Sequence, residues 1–156
     1  MSRTARLLFA CAALAAACQR APTYQVRVTG DEFRWQIRHP GPDARLDTAD
    51  DRITQQHLEL PARRRVALDL RSNDYVYSLY LPQIPVLEVA VPGDPVIIDF
   101  ETGEERVLEL LGNQMCGYTH PELLGELRVL SHFEPAAADQ GRPTFSGDPE
   151  PVSSKR

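Results

Sequence analysis

From residue 24 onward, apolar and polar residues alternate in short runs, and each run ends at a glycine, a proline or a polar cluster. Val26 and Val28 are in phase, flanked by Gln25 and Arg27. Phe33, Trp35 and Ile37 fall on one face of the next run, with Glu32, Arg34, Gln36 and Arg38 on the other. Val66, Leu68 and Leu70 repeat the pattern, and shorter runs follow at 56–60, 96–100, 107–111 and 126–130. Successive side chains of a strand point to opposite faces, so a period of two predicts half-buried strands. Gly30, Pro61, the Pro92-Gly93 pair and Gly103 supply the breaks. No amphipathic helical stripe, heptad, internal repeat or phosphate loop interrupts the series. The pattern predicts an all-β chain, an antiparallel β-sandwich over residues 24–132.

The two ends are built differently. Arg3 and Arg6 precede an apolar run over residues 7–17. A membrane-spanning helix needs about 20 apolar residues, so this shorter run reads as a signal peptide over 1–17. Ala15, Ala16 and Ala17 lead into Cys18, and the stretch from Leu14 resembles a bacterial lipobox. That resemblance implies lipidation at Cys18, a short spacer over 18–23, and a protein held on the cell envelope facing the periplasm or the outside. Ordinary secretion with cleavage near the alanines is the alternative. From residue 133 the chain turns to Pro, Ala, Ser, Gly and Asp, which predicts a disordered tail over 133–156.

Composition narrows the function. The 156 residues are 42% hydrophobic, enough for one globular core. The net charge is −5, and it grows more negative once Arg3 and Arg6 leave, which argues against nucleic acid and allows basic partners such as small cytochromes. Of the three cysteines, Cys11 departs with the signal and Cys18 carries the lipid, leaving Cys116 as the free thiol of the mature chain. The loop over 41–54 carries Asp43, Asp47, Asp50 and Asp51; a solvated turn is expected there, with calcium as the alternative. Arg63, Arg64 and Arg65 form a basic patch, read as solvated, with lipid headgroups as the alternative.

The chemistry is concentrated at Leu111-Gly112-Asn113-Gln114-Met115-Cys116-Gly117-Tyr118-Thr119-His120-Pro121-Glu122-Leu123. A thiolate and an imidazole held in one turn suit a borderline metal such as copper or zinc. A buried thiol beside a surface histidine is the plainer alternative. The stretch resembles the copper loop of cytochrome c oxidase subunit II, which runs Cys-x-Glu-x-Cys-Gly-x-x-His-x-x-Met. Cys116, Gly117 and His120 fall on its second cysteine, its glycine and its histidine. Gly112, Gln114 and Leu123 stand where the family has its first cysteine, its glutamate and its methionine. Two further stretches carry the resemblance. Ser72, Asp74, Ser78 and Pro82 match the segment Ser-x-Asp-Val-x-His-Ser-Phe-x-x-Pro, with Tyr77 in place of the copper histidine. Val28 to Trp35 followed by His39-Pro40-Gly41 resembles Val-x-Gly-x-Gln-Trp-x-Trp and Tyr-Pro-Gly, with Phe33 at the first tryptophan.

The resemblance implies a cupredoxin-like Greek-key β-sandwich and a place in a respiratory chain beside haem–copper oxidase subunits or a small cytochrome. It implies Cys116, His120 and the backbone carbonyl of Gln114 as the retained copper ligands, with Tyr77 as a possible third side chain. A single thiolate cannot bridge two metal ions, so at most one copper is expected and a binuclear centre is not. The family's two N-terminal membrane helices have no counterpart, and the lipid at Cys18 takes their place. A docking or assembly subunit with a decayed site is the first reading; a mononuclear copper protein for storage, delivery or electron transfer is the second. No paired carboxylates, Ser-His-Asp order or three-histidine cluster supports an independent catalytic site. Phe33 and Trp35 are expected in the sandwich core, and Gly112 in the turn.

Overall fold

The computed structural model describes residues 22–114 and 120–133. The signal segment, Cys18, Cys116 and the tail beyond Phe133 lie outside the described residues. Among the described residues, ten strands form two five-stranded sheets. The first sheet holds β3 (Arg52–Thr54), β2 (Arg34–His39), β1 (Tyr24–Asp31), β5 (Arg65–Ser72) and β8 (Val96–Glu101), in that order. The second holds β4 (His57–Pro61), β10 (Gly125–Leu130), β9 (Arg106–Gln114), β6 (Tyr77–Leu81) and β7 (Val86–Ala90). This is the all-β sandwich that the alternation predicts, with the cupredoxin-like form that the resemblance implies.

The inward phase of each strand makes the core. Val26, Val28, Trp35, Ile37, Val66, Leu68 and Leu70 come from the first sheet, and all are fully buried. Leu58, Leu60, Tyr77, Leu79, Leu110, Leu127 and Val129 meet them from the second. Each such aliphatic side chain stabilises the fold by about 1.5–3 kcal/mol, so the period-two pattern is the principal determinant of the architecture.

Four expectations need correction. The sheets are mixed, not purely antiparallel: β1 runs parallel to β5, and β4 runs parallel to β10. Crossing between sheets sets those pairings, and local alternation does not encode it. Phe33 does not continue the face of Trp35 and Ile37. It sits in the β1–β2 turn, where Glu32 (φ 47°) and Phe33 (φ 63°) are both left-handed. Gly112 is not in a turn, because β9 runs on to Gln114. The β3 strand closes the expected 41–54 loop by pairing with β2.

The acidic stretch of that loop is held by cations and hydroxyls of the protein. Asp47 lies 2.6 Å from Arg27, Asp51 lies 3.2 Å from Arg38, and Asp50 accepts from Thr48 Oγ1 at 2.7 Å. Asp43 accepts the backbone N–H of Arg45 at 2.9 Å.

One buried titratable group gives the fold a pH dependence. His39 ends β2 with 2% exposure. Its Nδ1 lies 3.2 Å from the Tyr24 hydroxyl, and its Nε2 lies 3.4 Å from Thr54 Oγ1. Thr54 donates its own proton to the His57 carbonyl at 2.7 Å, so it accepts from Nε2–H and Tyr24 donates to Nδ1. His39 is therefore neutral and protonated on Nε2. Burial, reinforced by the nearby Arg52 and opposed by Glu59, lowers its pKa from 6.5 to about 4. The unfolded chain binds the extra proton first, so this contribution is complete above the unfolded value and is lost as pH falls from about 6.5 to 4. Urea unfolding is expected to show a loss approaching about 3 kcal/mol across that window, and a His39→Phe variant is expected to lack it.

Candidate metal centre at one end of the sandwich

Three described segments converge at the end of the sandwich where β1 turns into β2: the Glu32–Phe33 turn, the loop over 73–76, and the terminus of β9 with the stretch from His120. Asp74 organises them. Its Oδ2 accepts the Glu32 N–H at 2.8 Å, and its Oδ1 accepts the Tyr75 N–H and the Tyr77 hydroxyl, each at 2.7 Å. Burial opposes its ionisation, but the bonds from Tyr77, Glu32 and Tyr75 prevail and hold the carboxyl below its ordinary range. The strained pair of left-handed residues in the turn is thus fixed by a carboxylate far along the chain.

Tyr77 opens β6, opposite Gln114 of β9 and Ala90 of β7. Its ring is fully buried and lies on Gly30, where a Cβ would fall 2.3 Å from ring carbon Cδ2. Only glycine admits the ring there. The hydroxyl donates to Asp74 and accepts the Phe33 N–H at 3.1 Å. Burial and the Asp74 bond raise its pKa to about 12, so the phenol stays protonated. Tyr77 fills the position of a family ligand, but its oxygen is committed to Asp74 and Phe33. Gln114, the last residue of β9, is buried at 5% exposure.

His120 precedes a single 3₁₀ turn, Pro121–Leu123, in which the Leu123 N–H returns to the His120 carbonyl at 3.0 Å. Proline at the first position of the turn and the buried Leu123 side chain set the backbone. The imidazole stacks on Phe33, with centroids 4.4 Å apart and planes 16° apart. Phe33 stacks in turn on the half-exposed Tyr75 at 4.8 Å and 16°. Among the described residues nothing hydrogen-bonds to His120 Nε2, which is buried. An orphaned buried ring nitrogen is costly unless something occupies it. The structure therefore assembles His120, Tyr77 and Gln114 at one end; Cys116, between Gln114 and His120 in sequence, lies outside the described residues.

The space for a second sulfur is filled. A Cβ on Gly112 would fall 2.6 Å from Trp35 Nε1, 2.8 Å from Trp35 Cζ2 and 2.7 Å from the Leu123 carbonyl oxygen. Those groups are bonded to each other, Trp35 Nε1 donating to Leu123 O at 2.9 Å. The residues present do not fit a two-copper cluster. Among the described residues no three His, Cys, Asp or Glu side chains stand close enough to hold a metal ion.

No family model matches the chain. Two curated proteins do. The alternative cytochrome c oxidase subunit 2 of Bradyrhizobium diazoefficiens is 24% identical over 149 residues, covering 81% of this chain. The cytochrome c oxidase subunit 2 of Thermostichus vulcanus is 26% identical over 101 residues, covering 65%. The chain spans 54% of the first relative's length and 28% of the second's. Among solved structures, the periplasmic domain of subunit II of cytochrome oxidase from Bradyrhizobium japonicum superposes with a TM-score of 0.59, at 14% identity over 70% of this chain and 85% of that one. The chain is thus similar to cytochrome c oxidase subunit II proteins, and its fold is that of their periplasmic domain. A second such domain, captured as a mixed disulfide with a thioredoxin-like protein, gives a TM-score of 0.57 at 16% identity, covering 72% of this chain and 86% of that one. A chain of a haem–copper terminal oxidase dimer gives 0.51 at 14% identity, covering 81% and 92%. These likenesses agree with the cupredoxin-like sandwich seen here.

Sequence reasoning named Cys116 and His120 as candidate ligands, with Tyr77 and the Gln114 carbonyl as further candidates; the last three lie at one end of the sandwich and Cys116 is outside the described residues. It missed the role of Phe33 as the plate under the imidazole and of Trp35 as the group occupying the second sulfur's space. The segment from Val28 to Trp35 was the available signal, but alternation assigned both aromatics to packing.

Proposed function

We propose that the protein is a subunit II-like component of a respiratory haem–copper oxidase, anchored on the cell envelope through lipid at Cys18 and facing the periplasm. Its copper site is degenerate, and it serves docking or assembly. The observation that carries this reading is the Trp35 indole and Leu123 carbonyl occupying the volume beside Gly112. A binuclear centre needs two bridging thiolates, and the scaffold has closed over one of them. The acidic surface suits a basic cytochrome as a further partner. The test is purification of the native protein in mild detergent, with and without a copper chelator. Haem–copper oxidase subunits are expected to accompany it in both preparations; a protein recovered alone in both would refute the reading.

A second reading is favoured by the orphaned Nε2 of His120. Here Cys116 and His120, with the Gln114 carbonyl, hold one copper ion. Such an ion supplies one-electron exchange or a Cu(I) store, since Cu(I) accepts low coordination and soft sulfur. Phe33 orients the imidazole, and Tyr77 contributes packing with its phenol turned to Asp74.

A further inference from the structure

The end of the sandwich opposite His120 has its own surface. β1 begins there at Tyr24 and reaches the Glu32–Phe33 turn at the other end. Eight residues of strand span roughly 26 Å. Around the start of β1 lies a cleft of about 230 Å³ lined by Pro22, Tyr24, Pro40, Pro42, Pro61 and Phe133. Its four prolines offer no backbone N–H to water. Phe133 meets Tyr24 edge-on at 5.1 Å, which places an aromatic pair at the mouth. Arg64 lines the same cleft, and the exposed Arg65 follows it. Arg63 is neutralised by Glu104 at 2.7 Å, so Arg64 and Arg65 supply the local cationic charge of that turn.

Pro22 is itself part of the lining, and Cys18 is four residues before it. Four residues span at most roughly 14 Å. A lipid on Cys18 therefore brings this end within that distance of the bilayer surface, whatever the spacer's conformation.

We propose that the proline-rich end of the sandwich seats on the phospholipid surface, with Arg64 against headgroup phosphates and Pro42 and Phe133 in the interfacial layer. The inference rests on the lipid-anchor part of the reading above. It fixes the orientation of the domain: the His120 end stands off the bilayer by about the length of a strand, roughly 26 Å. A partner reaching Phe33 and Tyr75 then approaches from the aqueous side.

The chain has one tryptophan, and Trp35 is fully buried near the His120 end, so added tryptophans report position. The lipidated full chain is reconstituted in phosphatidylethanolamine–phosphatidylglycerol vesicles, with and without brominated acyl chains, which quench on contact. Phe133→Trp and, as a second probe on an exposed residue, Pro42→Trp are expected to lose most of their added emission to brominated lipid. Tyr75→Trp and the unsubstituted chain are expected to lose none. Quenching of Tyr75→Trp in place of the other two would overturn the orientation. So would co-flotation with vesicles when neither end is quenched, which leaves the anchor standing and removes the docking face. Failure to float with vesicles at all would remove the anchor and the orientation together.

Discussion

Replacing Trp35 by alanine is expected to destabilise the domain by about 3–5 kcal/mol. The indole is fully buried and sits between three partners that cannot close over its absence. Gly112 has no side chain to move into the void, the Leu123 carbonyl would lose its donor at 2.9 Å, and the Tyr77 ring, 5.7 Å away, is pinned by Gly30 and Asp74. The damage is expected to reach the candidate site, because Leu123 closes the turn that sets His120. Urea unfolding followed by far-ultraviolet circular dichroism measures the loss, since the variant has no tryptophan. Trp35→Phe separates the causes: it keeps an aromatic ring and deletes the hydrogen bond, so about 1–3 kcal/mol is expected from the unpaired carbonyl. A loss below about 1 kcal/mol for the alanine variant would show that the site collapses freely, contrary to the packing seen here.

Restoring the missing thiol at position 112 is expected to fail. Gly112→Cys must displace the Trp35 indole and the Leu123 carbonyl, at about 1–3 kcal/mol for overpacking. Copper titration of that variant is expected to give no mixed-valence near-infrared bands. Combining it with Trp35→Ala opens the volume the sulfur needs, so the double variant is expected to be more stable than the two single losses added together. Additive losses would mean that Trp35 is not what excludes the sulfur. The same titration tests the mononuclear reading. Under that reading one Cu(I) per chain is expected to bind, and Cys116→Ser is expected to abolish that binding; a variant that binds as well as the parent removes Cys116 from the ligand set.

The residues that build the core were legible because burial repeats every second position. Val26 and Val28, Val66 to Leu70, and Leu127 and Val129 need nothing beyond the pleat to be placed. The spacing of Cys116 and His120, and Tyr77 standing where the resemblance puts a histidine, direct attention to the end of the sandwich where Tyr77 and His120 lie. What could not be read depends on residues distant in sequence. Phe33 breaks its own alternation because Asp74 holds the Glu32 backbone in a left-handed turn usually made with glycine or asparagine. The space beside Gly112 is decided by Trp35 and Leu123, from two other segments. The aspartates over 43–51 read as a solvated turn, with calcium as the alternative, because Arg27 and Arg38, which answer two of them, are drawn from earlier strands.

The parallel seams have a consequence for how the chain matures. Among the described residues β4 is the outermost strand of its sheet, and its one neighbour is β10, the last of the described strands in the sequence. Until Gly125–Leu130 arrives, the row of Leu58 and Leu60 has no ladder to join and remains a sticky border, exposed to any other incomplete chain. Premature termination anywhere upstream of Gly125 would therefore yield a product prone to clump before any question of copper arose.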